Sequence, residues 1–213
     1  SAFFTVIPLF LLALASKETA VVFPALATAC LFYVSPERLK LRTYFRTWPL
    51  WGLALIYAVW RWNADGFAGP ESSAALYNQL PDFAETKVFA GALLYRFYTF
   101  LATLPSYLRL LLWPSDLHME RFFPLYSTLW TWPVLGGIAL AALAGKIAVK
   151  SFKTDQWRPL GWGLLWFAAA HAPNSGMFVL MNALLMEHWM YLPSIGLILG
   201  AGQTLAVFSG KAP

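Results

Sequence analysis

Long apolar runs, separated by short clusters of Lys and Arg, constrain this chain more than any other feature. Residues 1–15, 20–35, 48–62, 131–149, 159–173 and 190–208 are apolar with few charges, and a helix crossing the ~30 Å hydrocarbon core of a bilayer needs about 20 such residues. Inside hydrocarbon the backbone must satisfy its own hydrogen bonds, so runs of this kind read as helices. Only 12% of the residues are charged, against about 25% in soluble domains. The net charge of +5 does not point to a nucleic acid, because the basic residues gather between apolar runs. Arg38, Lys40, Arg42 and Arg46 face one acid, Glu37, in the first loop, and Lys146, Lys150, Lys153 and Arg158 mark the second. That is the distribution of cytoplasmic loops in a membrane protein.

The expected fold is an all-α, polytopic transmembrane bundle forming one domain, 1–213, with about six spans over the runs above. Residues 63–130 form an external region rich in Gly, Pro and Asn. Within it, 88–113 is long enough to span, yet it carries Arg96 and Arg109 and is interrupted by Pro105-Ser106. A full crossing would put the second basic loop outside, against the charge rule. The stretch therefore reads as a re-entrant or interfacial helix pair that returns to the outer face. Trp48, Trp51, Trp60 and Trp62, and later Trp189 and Tyr191, have the placement of interfacial anchors. The single cysteine, Cys30, permits no intramolecular disulfide.

With this topology Lys17, Glu18, Arg96, Asp116, Glu120, Asn174, Glu187 and His188 all fall on the outer side. Polar groups at the end of a span are functional candidates, although they also serve as an ordinary water-facing belt. Lys17, Arg96, Arg109 and Arg121 suit a clamp on a lipid phosphate, and equally suit snorkelling to headgroups. Asp116, Glu120 or Glu187 beside such a phosphate suits a base or a ligand for a divalent cation. Other chemistries lack support, since no Gly-rich phosphate loop, zinc-type Cys/His spacing or Gly-x-Ser-x-Gly is present. His118 with Glu120, and His171 with Glu187 and His188, match no metal-ligand spacing. Gly136-Gly137 and Gly200-Ala201-Gly202 read as helix-packing faces.

Several phrases in order carry a family resemblance: Leu14-Ala15-Ser16-Lys17-Glu18-Thr19-Ala20, Tyr95-Arg96, Leu112-x-Pro114-x-x-Leu117, Asn174-Ser175, and Glu187-His188-Trp189-Met190-Tyr191-Leu192-Pro193-Ser194-Ile195-Gly196. Together they resemble the membrane domain of the transmembrane and tetratricopeptide-repeat O-mannosyltransferases and their bacterial relatives. These belong to the C-type glycosyltransferase superfamily. The resemblance implies a bacterial inner-membrane or endoplasmic-reticulum-type location and a polyprenyl-phosphate sugar as donor, transferred to protein at the outer or luminal face. It implies that Lys17 and Arg96 hold the donor phosphate, with Glu18, Glu120, Asn174, Glu187, His188 and Tyr191 around the pocket. His188 stands where the family usually has Arg, and Glu120 where it commonly has Asp.

Members of that family place an acidic catalytic residue in a first external loop near the N-terminus. This sequence reads as starting after that loop, so it is expected to be the later part of such a domain, with the catalytic acid outside it. The rival expectation is a non-catalytic membrane subunit that scaffolds a larger complex, with lipids and other membrane subunits as its partners.

Overall fold

A computed structural model describes residues 2–35, 40–64, 92–118, 121–177 and 183–210. It is all-helical, and no strand occurs among the described residues. α1 (Ala2–Ser16) ends at a 3₁₀ turn, Glu18–Val22, which leads into α2 (Phe23–Val34). A one-turn α3 (Leu41–Tyr44) precedes α4 (Trp48–Ala64). Then come α5 (Leu93–Leu112), a non-helical strap described over 113–118 and 121–131, α6 (Trp132–Ser151) and α7 (Arg158–His171). Two 3₁₀ turns, Ala172–Ser175 and Glu187–Met190, then lead towards α8 (Tyr191–Phe208).

Two of these helical stretches are long and apolar enough to cross a membrane, Trp132–Ser151 and Glu187–Phe208. The others fall short of the six expected spans. α1, α2, α4 and α7 have 15, 12, 17 and 14 residues, or about 18–26 Å at 1.5 Å per residue. Each is cut where polar or turn-forming residues begin, at Lys17, Ser35, the residues after Ala64, and Asn174.

The packing centre is α7 against α8. A Cβ on Gly163 would strike the Gly196 carbonyl, and one on Gly200 would meet the Pro159 carbonyl oxygen at 2.5 Å and Gly163 Cα at 3.1 Å. Only glycine allows two helix backbones so close, and close approach is what holds helices together where hydrocarbon supplies no hydrophobic drive. Trp166 reinforces the seam, donating from Nε1 to the Leu192 carbonyl at 3.0 Å. The packing role expected of Gly137 and Gly200 is met, whereas Gly202 has nothing within 4 Å of an added Cβ.

The helices run between two ends. At the basic end, Arg158 donates to the Tyr33 carbonyl (3.2 Å), Tyr33 donates to Gln203 (2.9 Å), and Trp157 stacks edge-on with Phe208. At the opposite end, here the site end, lie the 3₁₀ turns Glu18–Val22, Ala172–Ser175 and Glu187–Met190 together with the start of α6. α1 and α4 pack together through Phe10, Leu14, Leu50 and Ala54, and Arg61 of α4 pairs with Glu18 at the site end (3.3 Å).

α5 corrects one expectation. Residues 93–112 form one helix with Pro105 inside it, not a pair broken at Pro105-Ser106. Proline removes the N–H that would bond the carbonyl four residues back, Leu101, and Gly137 of α6 packs against that same carbonyl. The neighbouring backbone thus covers the freed oxygen with a weak C–H contact, and the helix continues. Leu101 meets Val134 and Gly137, Pro105 sits 3.5 Å from Gly136's Cβ position, and Tyr107 reaches His171 and the Met186 carbonyl. Arg96 to Tyr107 rises about 16 Å, yet its partners sit in single turns of α6, α7 and the segment before α8. The helix therefore lies across the site end instead of alongside the bundle.

Gly163→Leu and Gly137→Val are expected to cost about 3 kcal/mol each by forcing backbones apart. Gly202→Ala and Gly145→Ala, with open space at the Cβ, should be neutral or gain about 0.5–1 kcal/mol of helix stability. Thermal unfolding followed by circular dichroism in detergent checks both.

Candidate functional site

The site end gathers residues far apart in sequence. Glu187 begins the 3₁₀ turn before α8, where the chain turns into the helix. One of its oxygens, Oε1, accepts from Arg121 Nε at 2.8 Å, from Arg121 Nη2 at 2.7 Å and from the His118 backbone N–H at 2.9 Å. The two side chains are mostly covered, at 17% and 22% exposure. Arg121 also donates from Nη2 to the Asp116 carbonyl, and its Nη1 lies 3.7 Å from the Asp116 carboxylate. The Arg121 backbone N–H donates to the Leu185 carbonyl at 3.4 Å. Asp116 takes a left-handed backbone, φ 54°, which Asp tolerates better than most residues. That bend turns its carbonyl toward Arg121 and His118.

Arg96, on the first turn of α5, reaches from Nε to the Gly176 carbonyl at 2.8 Å. Between them a small cleft, with space for about one water (≈ 10 Å³), is lined by Arg96, Thr99, Thr103, Ser175, Gly176 and Leu184. Thr99 accepts the Tyr126 backbone N–H at 3.0 Å, which ties the strap over α5. Burial there pushes the Tyr126 phenol up from its ordinary value. The short segment from Ala183 to Glu187 links this cleft to the Arg121 pair.

The Asn174 turn is half-buried and packs against the Glu18–Val22 turn. Lys17 and Glu18 are exposed, and Glu18 is held by Arg61. Of the residues singled out in the sequence, Lys17, Glu18, Arg96, Asn174, Glu187 and His188 therefore do share one end. His188 packs edge-on with Trp189. Tyr191 does not join them, since it is 75% exposed and faces outward from the first turn of α8. Glu120 lies outside the described residues. Trp189, expected as an exposed anchor, is buried against Ala183 and Met186.

Sequence reading missed three things. Arg61 was read only as part of a span, and its tie to Glu18 has no local signal across 43 positions. Arg121 was read as a phosphate clamp, but its guanidinium is committed to Glu187 and Asp116. His171 is 2% exposed, enclosed by the rings of Phe100, Tyr107 and Phe167, so it takes no part in a metal site with Glu187. Among the described residues no three His, Cys, Asp or Glu side chains gather to hold a metal ion. The described acids at this end are bound by arginine or by backbone N–H, which leaves no carboxylate set suited to a divalent cation.

Comparison with family models, with curated proteins and with solved structures gives no match.

Arg121→Ala strips Glu187 of two charged donors in a mostly covered place, and is expected to cost roughly 1–3 kcal/mol. The same variant combined with Glu187→Gln should recover part of the loss, because the stranded charge is gone. A double-mutant cycle on thermal unfolding in detergent measures the coupling.

Proposed function

We propose that this chain is a multi-pass membrane protein of the C-type glycosyltransferase kind, resembling the transmembrane and tetratricopeptide-repeat O-mannosyltransferases. Its site end would receive a polyprenyl-phosphate-linked sugar at the outer or luminal face. In this reading the shorter helices span together with their flanking turns, α2 with Glu18–Val22 and α7 with Ala172–Ser175. The observation that carries it is the convergence of Lys17, Arg96 and Asn174 from three separate segments on the end opposite the basic residues. That convergence puts two cations where a phosphate at the membrane surface would arrive.

Lys17 is the mobile cation of the pair, exposed on the turn after α1. Arg96 is the fixed one, oriented by the Gly176 carbonyl. During transfer the bond from the sugar's anomeric carbon to phosphate oxygen breaks while the acceptor hydroxyl bonds that carbon. The two cations would stabilise the departing phosphate, whose charge grows as that bond breaks. Against the opposing effect of desolvation, the His118 backbone N–H and Arg121 hold the Glu187 carboxyl below its ordinary value, so it is a poor base, and Glu18 is engaged by Arg61. They shape the pocket, and the proton acceptor comes from elsewhere.

A second reading, a non-catalytic subunit that scaffolds a membrane complex, is favoured by one feature. α4 leaves Trp48, Trp51, Leu55 and Val59 exposed along one face, at the three- and four-residue spacing of a helix-packing stripe.

Transfer of labelled mannose from polyprenyl-phosphate mannose to an acceptor peptide in proteoliposomes tests the choice. Lys17→Ala should lower transfer on the order of 100-fold with unchanged thermal stability, since Lys17 is exposed. Unchanged donor binding in Lys17→Ala and in Arg96→Lys would reject the donor site. Loss of partner co-purification on breaking the α4 stripe, with no transfer by the wild type, would establish the scaffold.

A further inference from the structure

We propose that the strap residues 113–118 and 121–131, with the last turn of α5 and the first residue of α6, form a membrane-seated surface. It rests in the headgroup layer of the leaflet at the site end.

The strap carries large apolar side chains on both sides, with Asp116, His118, Ser127 and Thr128 exposed among the outward ones. Its inward side is explained, since Phe123, Tyr126 and Leu129 pack on Leu101, Ala102 and Val134. Phe123 also reaches the neighbouring cluster of Tyr107, Leu185 and Met190. Among the described residues the outward side has no such cover. Leu112, Trp113, Leu117, Phe122, Trp130 and Trp132 are all strongly exposed, with Trp130 at 81% and Trp132 at 87%. Trp113, Phe122, Trp130 and Trp132 alone leave roughly 600 Å² of aromatic surface open, taking about 200 Å² per side chain. That equals the largest apolar patch of an ordinary soluble surface.

Composition and position together select the occupant. The outward rings are mainly Trp, the residue enriched where hydrocarbon meets water, because indole pairs a large apolar face with one N–H donor. Asp116, His118 and Arg121 lie within the same strap, so the surface mixes rings and charges in the way a headgroup layer accepts. The patch is also continuous with the starts of the two membrane-length helices. Trp132 is the first residue of α6, and the exposed Tyr191 is the first of α8. Both mark the depth at which those helices leave hydrocarbon. α5, lying across the same end, carries Leu112 at that level.

Seating has a consequence for the polar network. The Arg121–Glu187 pair hangs from this strap on one side and from the turn before α8 on the other. A strap fixed at the interface holds that pair, and the Arg96 cleft beneath Tyr126, at headgroup depth. This inference rests on α6 and α8 crossing a bilayer, but not on any sugar donor.

The test uses the full chain with Cys30→Ala and one new cysteine at a time, labelled with bimane, in phosphatidylcholine nanodiscs. Leu117→Cys and Trp130→Cys report on the strap, and Leu143→Cys reports on the middle of α6. Lipids carrying a spin label at the headgroup, or deep in the acyl chain, quench nearby probes, and iodide quenches those in water. The expected result is quenching of both strap probes by the headgroup label and of the Leu143 probe by the deep label. Strap probes reached only by iodide, or shielded from every quencher as under a protein partner, would overturn the proposal while the Leu143 probe stays deep. A Leu143 probe untouched by the deep label would instead overturn the membrane reading on which it rests.

Discussion

Everything at the site end depends on how closely α7 and α8 approach at Gly163, Gly196 and Gly200. With no Cβ between them, the two backbones touch, and many weak dispersion contacts replace the hydrophobic drive that hydrocarbon cannot supply. The seam fixes the heights of both helices. The last turn of α7 then sets His171 against Tyr107, and the 3₁₀ turn after it sets Asn174 against the Glu18–Val22 turn. Trp166, bonded to the Leu192 carbonyl and lying against Gly196, prevents one helix from sliding along the other.

The second layer of the site is built on a matched defect. Pro105 deprives Leu101 of its helical hydrogen bond, and Gly137 is the residue that lets α6 press against that carbonyl. A larger residue at 137 would leave the oxygen uncovered and push α5 away from Val134. Because α5 is held there, Arg96 reaches Gly176, Tyr107 closes over His171, and Thr99 catches the strap at Tyr126. A helix that crossed the bundle lengthwise would bring none of these together.

The charges at this end satisfy one another before they meet any ligand. Arg121 and Glu187 form the mostly covered pair, where a charge left without its partner is costly, while Glu18 with Arg61 and Asp116 with Arg121 are exposed pairs that add little. Such pairing favours a binding surface of fixed shape over a reactive acid. Lys17 stands exposed on its turn.

Helical class and the segregation of charge were legible in the sequence, since apolar runs and basic loops act locally and report on the solvent each segment prefers. The gathering of Lys17, Arg96, Asn174 and Glu187 at one end was legible for the same reason, as the alternation of apolar helices and polar connections assigns each connection to one end or the other. Which of them pair was not. Arg61 with Glu18, and Arg121 with Glu187, are joined across 43 and 66 positions, and no periodicity encodes such a match. Pro105 misled because a proline reads as a break until a neighbouring glycine is seen to cover the carbonyl it frees. Tyr191 misled because it lies next to buried residues in sequence yet turns outward at the first step of α8. The sequence by itself determined which segments avoid water and which end bears the basic loops. Only the tertiary structure decided which residues touch, because contact depends on helix spacing and rotation set by glycine seams far from the residues they align.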